Sequence, residues 1–167
     1  MTTPRAATLP ALASHYLGQY LSRIRHCVGL LSEEEVWWRP AAGANTVANL
    51  MLHLAGNLSL WVLNALGGEA HPRHRSAEFA ADRSAAKADL LDRLTEVVES
   101  ARRVIERLDE HELAAPKEIQ GYLTDGRGAL FHAVEHMSYH TGQIVWVTKQ
   151  LTAGREEIEF FPQHRGE

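Results

Sequence analysis

The chain has 167 residues, of which 45% are hydrophobic and 23% are charged. These values are typical of a soluble globular protein whose core is large enough to fold without a disulfide or metal staple, and we expect one domain over residues 1–167. The formal net charge of −4 argues against binding to nucleic acid or to an anionic membrane through a basic surface. The single cysteine, Cys27, excludes an internal disulfide and is typical of a reducing cytosol.

The sequence does not show the patterns of secretion or membrane insertion. Its N-terminus lacks the charged-then-apolar order of a signal peptide. The most apolar stretch is a poor membrane span because polar side chains interrupt it, namely Asn49, His53, Asn57 and Asn64. We therefore expect a cytoplasmic protein.

The first predicted helix covers residues 9–31, where apolar side chains recur at spacings of three and four. Those side chains are Leu17, Leu21, Ile24, Val28 and Leu31. Ser32 followed by Glu35 is a capping-box pattern, which predicts a further short helical turn. The pair Arg39-Pro40 then ends that turn, and residues 41–44 are expected to form a loop.

A second helix is predicted to begin after Asn45 or Thr46 and to end at Gly67-Gly68. It is apolar nearly all round, which predicts burial on several sides. The connection after it, residues 67–83, is long for a helix bundle, where roughly 2–8 residues are usual. It contains a basic cluster that could bind an anionic substrate but is interpreted as a solvated loop, namely His71, Arg73, His74 and Arg75.

The third predicted helix has the clearest apolar stripe, which consists of Leu90, Leu94, Val97, Ala101, Val104 and Leu108. A capped turn is expected at residues 109–112. Gly126 and Gly128 precede a fourth helix, which Gly154 ends. Its stripe, again spaced by fours and threes, is Leu130, Val134, Met137, Thr141, Ile144, Thr148 and Leu151. The tail at residues 160–162 is expected to pack on the surface.

These patterns predict an all-α protein. We find no segment with the alternation of a β-strand, and four amphipathic helices of roughly 20–25 residues bury their stripes best as a four-helix bundle. The long connection after the second helix leaves the order and handedness of the bundle open.

Three histidines carry the chemical information in this chain. His136 and His140 are four residues apart, so their side chains lie on one face of the fourth helix, roughly 5–6 Å apart at Cβ. His53 lies in the middle of the apolar second helix. If the two helices are neighbours, the three imidazoles form a metal site that leaves room for an exogenous ligand, which suits catalysis better than structural support.

Other polar residues follow the same helical faces. The stripe through the histidine pair is Ala133, His136, His140, Gln143 and Val147, and the matching stripe on the second helix is Leu50, His53, Asn57, Leu60 and Asn64. Polar groups near a core are costly unless they are hydrogen-bonded or bound to a ligand. Asn57 and Gln143 are therefore candidates for hydrogen bonds that support the metal ligands, and Gln143 or Tyr139 for orienting a substrate.

Imidazole ligands do not select one metal, because they suit Zn²⁺, Ni²⁺, Fe²⁺ and Cu²⁺ alike. Three neutral ligands leave the ion its full positive charge. A water in a remaining position can then ionise near neutral pH, or a substrate thiol can bind as the thiolate.

An alternative metal motif overlaps the same segment. His132, Glu135 and His136 match H-x-x-E-H, the inverted zinc-peptidase pattern, with Glu135 as the general base. A pattern of five residues is often matched by chance, and peptidases of that kind need a distant acidic ligand on a longer chain. We therefore interpret His132 as a partly exposed residue near the rim of the site.

The chain resembles the DinB-like (YfiT-like) metalloenzyme superfamily. The resemblance is carried by the runs Asn49-Leu-Met-Leu-His53-Leu-Ala-Gly-Asn57 and His136-Met-Ser-Tyr-His140-Thr-Gly-Gln143-Ile, while residues 38–40 and 75–79 resemble one uncharacterised subfamily. It implies a four-helix bundle, often dimeric, that holds one divalent ion through His53, His136 and His140. It also implies a link to transferases and isomerases that use bacillithiol, mycothiol or glutathione.

Three functional hypotheses follow. The leading one is a transferase that uses a divalent ion (Zn, Ni or Fe) and a low-molecular-weight thiol to modify a small electrophile. The second is a hydrolase that uses the same ligands and activates water, with Glu135 as the available base. The third is a non-catalytic homodimeric binding module of a stress response. In each case we expect a homodimer with a small-molecule ligand.

Overall fold

The computed structural model describes residues 8–155 and 158–160. Its helices are α1 (Leu9–Gly29), α2 (Val47–Leu58), α3 (Arg75–Ala80), α4 (Lys87–Ile105), α5 (Glu110–Ala114) and α6 (Gly126–Leu151). A 3₁₀ turn covers Glu35–Trp37, and a π-helical segment, Ser59–Asn64, continues α2. Two short antiparallel strands, β1 (Pro116–Ile119) and β2 (Tyr122–Asp125), form a hairpin before α6.

The four long helices form the predicted four-helix bundle. Helix α1 packs against both α4 and α6, and α2 packs against the same two helices. The predicted apolar stripes meet inside the bundle, where the largest fully buried side chains include Leu17, Ile24, Leu50, Met51, Leu94, Leu130 and Met137. Burying such a side chain contributes roughly 1.5–3 kcal/mol to folding, so the core holds α2 and α6 side by side.

The helix ends follow the capping signals in the sequence. Thr46 caps α2 in a reciprocal pair with Asn49, in which each side chain bonds the other residue's backbone N–H. The same exchange joins Ser32 with Glu35, and it recurs at residues 109–112 at the start of α5. These caps satisfy backbone N–H groups that a helix end leaves without partners.

The structure corrects two predictions. The connection over residues 67–83 is not merely a loop, since it contains α3. The expectation that strands are lacking is wrong, because β1 and β2 pair across a turn in which Gln120 and Gly121 have φ of +54° and +81°. Strands of four residues are too short for a period-two pattern to be visible, and the left-handed turn is the type that closes a hairpin.

Cys27 is fully buried in the core, and Trp37 is buried while Trp38 is exposed. Phe160 packs against Arg23 and His26, whereas the rest of the predicted surface tail, residues 161–162, lies outside the described residues. Within the described residues, every helix is too short or too polar to cross a membrane.

Candidate metal centre

The structure brings the three predicted histidines together. His53 extends from the buried middle of α2, and His136 and His140 lie one turn apart on α6. One ring nitrogen from each residue lies within 4.8 Å of the other two, and the Nε2 atoms of His53 and His136 are 2.9 Å apart. His53 and His140 are buried and His136 is half-buried, so the cluster has one open side.

This cluster fits a divalent ion in both spacing and chemistry. Two nitrogen ligands at 2.0–2.1 Å from a tetrahedral ion are about 3.3 Å apart. This value lies between the 2.9 Å that separates the Nε2 atoms of His53 and His136 and the limit of 4.8 Å for the whole cluster. His53 directs Nδ1 at a carboxylate, and His140 directs Nδ1 at the Oε1 atom of Gln143, 2.7 Å away. A histidine that donates through one nitrogen presents the lone pair of the other, which is the usual arrangement of a metal ligand.

The carboxylate beside His53 belongs to Glu78, a residue that the sequence reasoning missed. Glu78 Oε2 accepts from His53 Nδ1 at 2.9 Å, and both of its oxygens accept from Arg73, at 2.7 and 2.9 Å. Burial by itself would raise the pKa of Glu78, but the hydrogen bonds from His53 and Arg73 outweigh it, so its pKa lies below the usual value. Glu78 is therefore ionised at neutral pH and fixes the ring of His53.

The structure also corrects the interpretation of Arg73 as a residue of a solvated loop. Its side chain is only 7% exposed and forms an ion pair with Glu78. A buried arginine requires a partner of opposite charge, because an unpaired charge in the interior costs several kcal/mol. The length of the connection after α2 was a signal of this role, since long connections in compact proteins are often functional.

Helix α3 is held against α2 by an amide and by a glycine. The side-chain nitrogen of Asn49 donates to the carbonyl oxygens of Glu78 and Ala81, at 3.0 and 2.9 Å. Gly56 leaves the space that Glu78 occupies, because a Cβ atom there would lie 2.1 Å from Glu78 Oε1. Asn49 and Gly56 thus set the distance between the carboxylate and His53.

The ionisation of the cluster also suits metal binding. Burial, followed by repulsion from the neighbouring histidines, lowers the pKa of His136 to about 3. Burial also lowers the pKa of His140, although its hydrogen bond to Gln143 opposes the shift. Metal-binding histidines must be neutral. With its pKa at about 3, His136 stays neutral in the folded protein well below pH 6.5, and the pKa of His140 is shifted in the same direction.

We therefore expect metal affinity to resist mild acid. Three ordinary histidines would weaken binding about a thousandfold between pH 7.5 and 5.5, tenfold for each ligand. His136, with its pKa at about 3, should contribute nothing to that loss, and His140 should contribute less than tenfold. Competition titrations with a chelator should give a fall well below a thousandfold.

The same shifts should make the metal-free protein sensitive to acid. Below pH 6.5 the unfolded chain takes up protons at both His136 and His140. The folded chain leaves His136 neutral, because its pKa is about 3, and protonates His140 only at a lower pH than the unfolded chain does. The free energy of unfolding should therefore decrease as the pH falls from about 6.5. A thousandfold fall in metal affinity, together with a melting temperature that acid leaves unchanged, would contradict this arrangement.

A cavity of about 690 Å³ opens beside the cluster. Besides His53 and His136, it is lined by Asn57, Trp61, Arg73, Arg75, Gln120, Tyr122 and His132. The Trp61 ring faces His132 at 4.0 Å between centroids, and its Nε1 donates to Gln120 at 3.3 Å. Trp61 lies in the π-helical segment, a local geometry that is frequent at functional sites. The aromatic wall of this cavity was not predicted.

Several predicted residues lie elsewhere than expected. Asn57 lines the cavity, but its side chain contacts His132 at 3.3 Å rather than one of the three clustered histidines. Tyr139 is 61% exposed, with its ring edge against His140, and Glu135 is exposed. Among the described residues, the cavity lining includes neither Tyr139 nor Glu135.

The alternative H-x-x-E-H site loses its support for the same reasons. His132 is half-buried, lines the cavity and forms a hydrogen bond with the side chain of Asn57. The group of histidines whose ligand atoms converge contains His53 and His140 as well as His136, but does not contain His132. The exposed Glu135 carboxylate is not positioned as a base within this cavity.

The protein is mostly helical, and three imidazoles converge beside an open cavity. These features define its class as a four-helix-bundle protein with a site that could hold a metal ion. The chain belongs to the DUF1572 family, described as proteins of unknown function, whose family profile matches residues 12–162. No protein of curated function matches the sequence significantly.

Solved structures share this fold. YfiT from Bacillus subtilis, described as a probable metal-dependent hydrolase with an unusual four-helix bundle topology, matches with a TM-score of 0.72 and 15% identity over 90% of this chain and 93% of its own. A DinB-like protein from Bacillus subtilis matches with a TM-score of 0.68 and 18% identity, over 89% of this chain and 96% of its own. A mycothiol-dependent maleylpyruvate isomerase matches with a TM-score of 0.64 and 18% identity, over 90% of this chain and 70% of its own. The predicted resemblance in fold is confirmed by these structures, and at these identities the likeness extends to the fold alone.

Proposed function

We propose that this protein is a divalent-metal-dependent enzyme that activates a low-molecular-weight thiol for transfer to an electrophile. The observation that carries the proposal is the convergence of His53, His136 and His140 within 4.8 Å, beside a cavity of about 690 Å³. A zinc, nickel or iron ion fits these ligands. When bound, the ion would lower the pKa of a thiol and hold the thiolate.

The residues of the chain prepare this site before any ligand arrives. Glu78 orients the His53 ring, and Gln143 orients the His140 ring. Two hydrogen bonds from Arg73 hold Glu78 in turn, so the ring of His53 needs little rearrangement when an ion binds. The partly enclosed cavity brings the acceptor next to the cluster, which is the positioning contribution of the protein.

The cavity favours a nucleophile that enters with the substrate. Its described lining contains no serine, threonine or cysteine side chain. Cys27, the single thiol of the chain, is buried in the core, and burial raises its pKa. A covalent step through the protein is thus disfavoured, and an external thiol or water has to attack.

The test uses metal-loaded protein purified without a histidine tag, with metal content verified by elemental analysis. Bacillithiol, mycothiol and glutathione are each incubated with a chlorinated aromatic compound or an epoxide. The thiol loses its proton and its sulfur forms a bond to carbon. With the chlorinated compound the C–Cl bond breaks, chloride leaves and the proton passes to the buffer, whereas with the epoxide the C–O bond opens and its oxygen takes up a proton. We expect one thiol to give adduct roughly a hundredfold or more faster than metal-free protein gives it, because the ion supplies several kcal/mol of charge stabilisation. Failure of all three thiols would contradict the proposal.

Metal-dependent hydrolysis is the second candidate, and the likeness to YfiT, a probable metal-dependent hydrolase, favours it. Glu135 is poorly placed as the base because it is exposed. His132 lines the cavity, and burial lowers its pKa, so it is neutral and able to accept a proton. Ester turnover that persists without thiol and is lost in His132→Gln would select this candidate.

A further inference from the structure

We propose that Arg75 binds a carboxylate group of the molecule that reacts in this cavity, while Trp61 and Tyr122 accept a flat apolar part of the same molecule. The reaction itself rests on the proposed function. The anion site does not, because it can be measured by binding alone.

The charge of the cavity supports an anionic ligand. Its lining includes two arginines and no acidic side chain among the described residues, although the chain as a whole has a net charge of −4. A divalent ion at the histidine cluster would add further positive charge. A cleft lined by one sign of charge concentrates ligands of the opposite sign and excludes those of the same sign.

The two arginines are not equivalent. Arg73 is buried and gives two hydrogen bonds to Glu78, so its charge is already balanced. Arg75 is exposed, and within the described residues no carboxylate forms an ion pair with it. Its guanidinium can therefore donate two hydrogen bonds to an incoming carboxylate in the paired geometry that arginine favours.

The position of Arg75 is set by an aromatic side chain next to the histidine cluster. The guanidinium carbon lies 4.9 Å from the ring centroid of Phe79, and that ring lies 4.7 Å from the ring of His53. This cation–π contact stabilises the guanidinium over the ring while leaving its N–H groups available. A carboxylate held by Arg75 would place the remainder of its molecule near the histidines.

The aromatic wall suggests the shape of that remainder. Trp61 is nearly buried and is fixed by its contacts with His132 and Gln120, and Tyr122 lies 6.5 Å from it at the mouth. Rigid aromatic faces bind flat, unsaturated groups with little loss of side-chain freedom. The ligand class is therefore a carboxylate attached to an aromatic or conjugated group.

Binding of 2-naphthoate, compared with 2-naphthamide, tests the site by calorimetry on both zinc-loaded and metal-free protein. We expect the metal-free wild type to prefer the carboxylate by about tenfold, the contribution of a charge-assisted hydrogen bond. Arg75→Gln should lose this preference. Arg93→Gln, which alters an arginine that lines a different cavity, should keep it. Melting temperatures of both variants should match the wild type, because both residues are exposed.

Each outcome decides the matter. An unchanged preference in Arg75→Gln overturns the proposal, and a preference seen only with zinc and independent of Arg75 assigns the carboxylate to the ion instead. Failure of thiol transfer alone leaves the metal-free binding result intact, so the two proposals fail separately. If thiol transfer occurs, a higher KM of Arg75→Gln for glutathione assigns the carboxylate to the thiol. A higher KM for a carboxylate-bearing acceptor assigns it to the acceptor.

Discussion

Replacing His136 by alanine is expected to weaken divalent-metal binding by about a hundredfold to a thousandfold and to remove the metal-dependent activity. Protein zinc sites with four ligands bind with roughly 10–16 kcal/mol, which corresponds to about 2.5–4 kcal/mol for each ligand. Each 1.4 kcal/mol is a tenfold change in affinity. His136 has its Nε2 atom 2.9 Å from that of His53, so its loss removes one of the three converging ring nitrogens.

Without metal, His136→Ala should also differ from the wild type in how its stability depends on pH. His136, with its pKa at about 3, resists protonation in the folded protein, whereas the unfolded chain protonates near pH 6.5. The wild type therefore loses stability as the pH falls through this range, and the variant lacks that contribution. The drop in melting temperature between pH 7.5 and 5 should be smaller in metal-free His136→Ala than in metal-free wild type.

His111→Ala is the matched control, because His111 is an exposed residue of α5, away from the candidate site. It should leave both metal affinity and the acid response unchanged. Equal metal content in the wild type and in His136→Ala would show that any bound ion sits elsewhere, and the functional proposal would then lose its basis.

The sequence predicted the bundle and the histidine cluster because both depend on helical periodicity. A spacing of four residues fixes His136 and His140 on one face, whatever the rest of the fold does. His53 could be added because an imidazole in the middle of an apolar helix has to point into the interior. The contact between α2 and α6 was then the single tertiary assumption, and the structure confirms that the two helices are in contact.

Glu78 and Arg73 could not be predicted in the same way. They belong to a connection in which periodicity carries no information, and their contact with His53 spans 25 residues of sequence for Glu78 and 20 for Arg73. A histidine ligand usually has a partner for its second nitrogen, so the sequence indicated that such a residue exists. It did not indicate which of the chain's acidic residues it is.

Tyr139 and Glu135 were predicted as candidate site residues, but the described cavity lining does not include them. Each is adjacent in sequence to a clustered histidine, but successive side chains on a helix point about 100° apart. The turn that buries His140 therefore exposes Tyr139, and Glu135 is exposed beside the half-buried His136. Proximity in sequence was a poor guide to membership of the cavity, and the helical face was a good one.

Gly56→Ala is expected to lower metal affinity by about tenfold to a hundredfold and to destabilise the protein, although alanine is the better helix former. The intrinsic preference for alanine within a helix is about 1 kcal/mol. At this position the new Cβ atom would lie 2.1 Å from Glu78 Oε1 and 3.1 Å from Arg73 Nε. Overpacking of that kind costs roughly 1–3 kcal/mol, and the displaced carboxylate would no longer orient His53, a loss that typically weakens metal binding to this extent.

Gly142→Ala separates the clash from a general effect of losing a glycine near the site. Gly142 lies within α6 beside Gln143, and a Cβ atom there meets nothing within 4 Å. We expect this variant to bind metal like the wild type and to be slightly more stable. In a double-mutant cycle, Gly56→Ala should cost little in a Glu78→Ala background, because the atoms that it would strike are gone. If Gly56→Ala is equally harmful with and without the Glu78 carboxylate, the contact between the glycine and this carboxylate does not position His53.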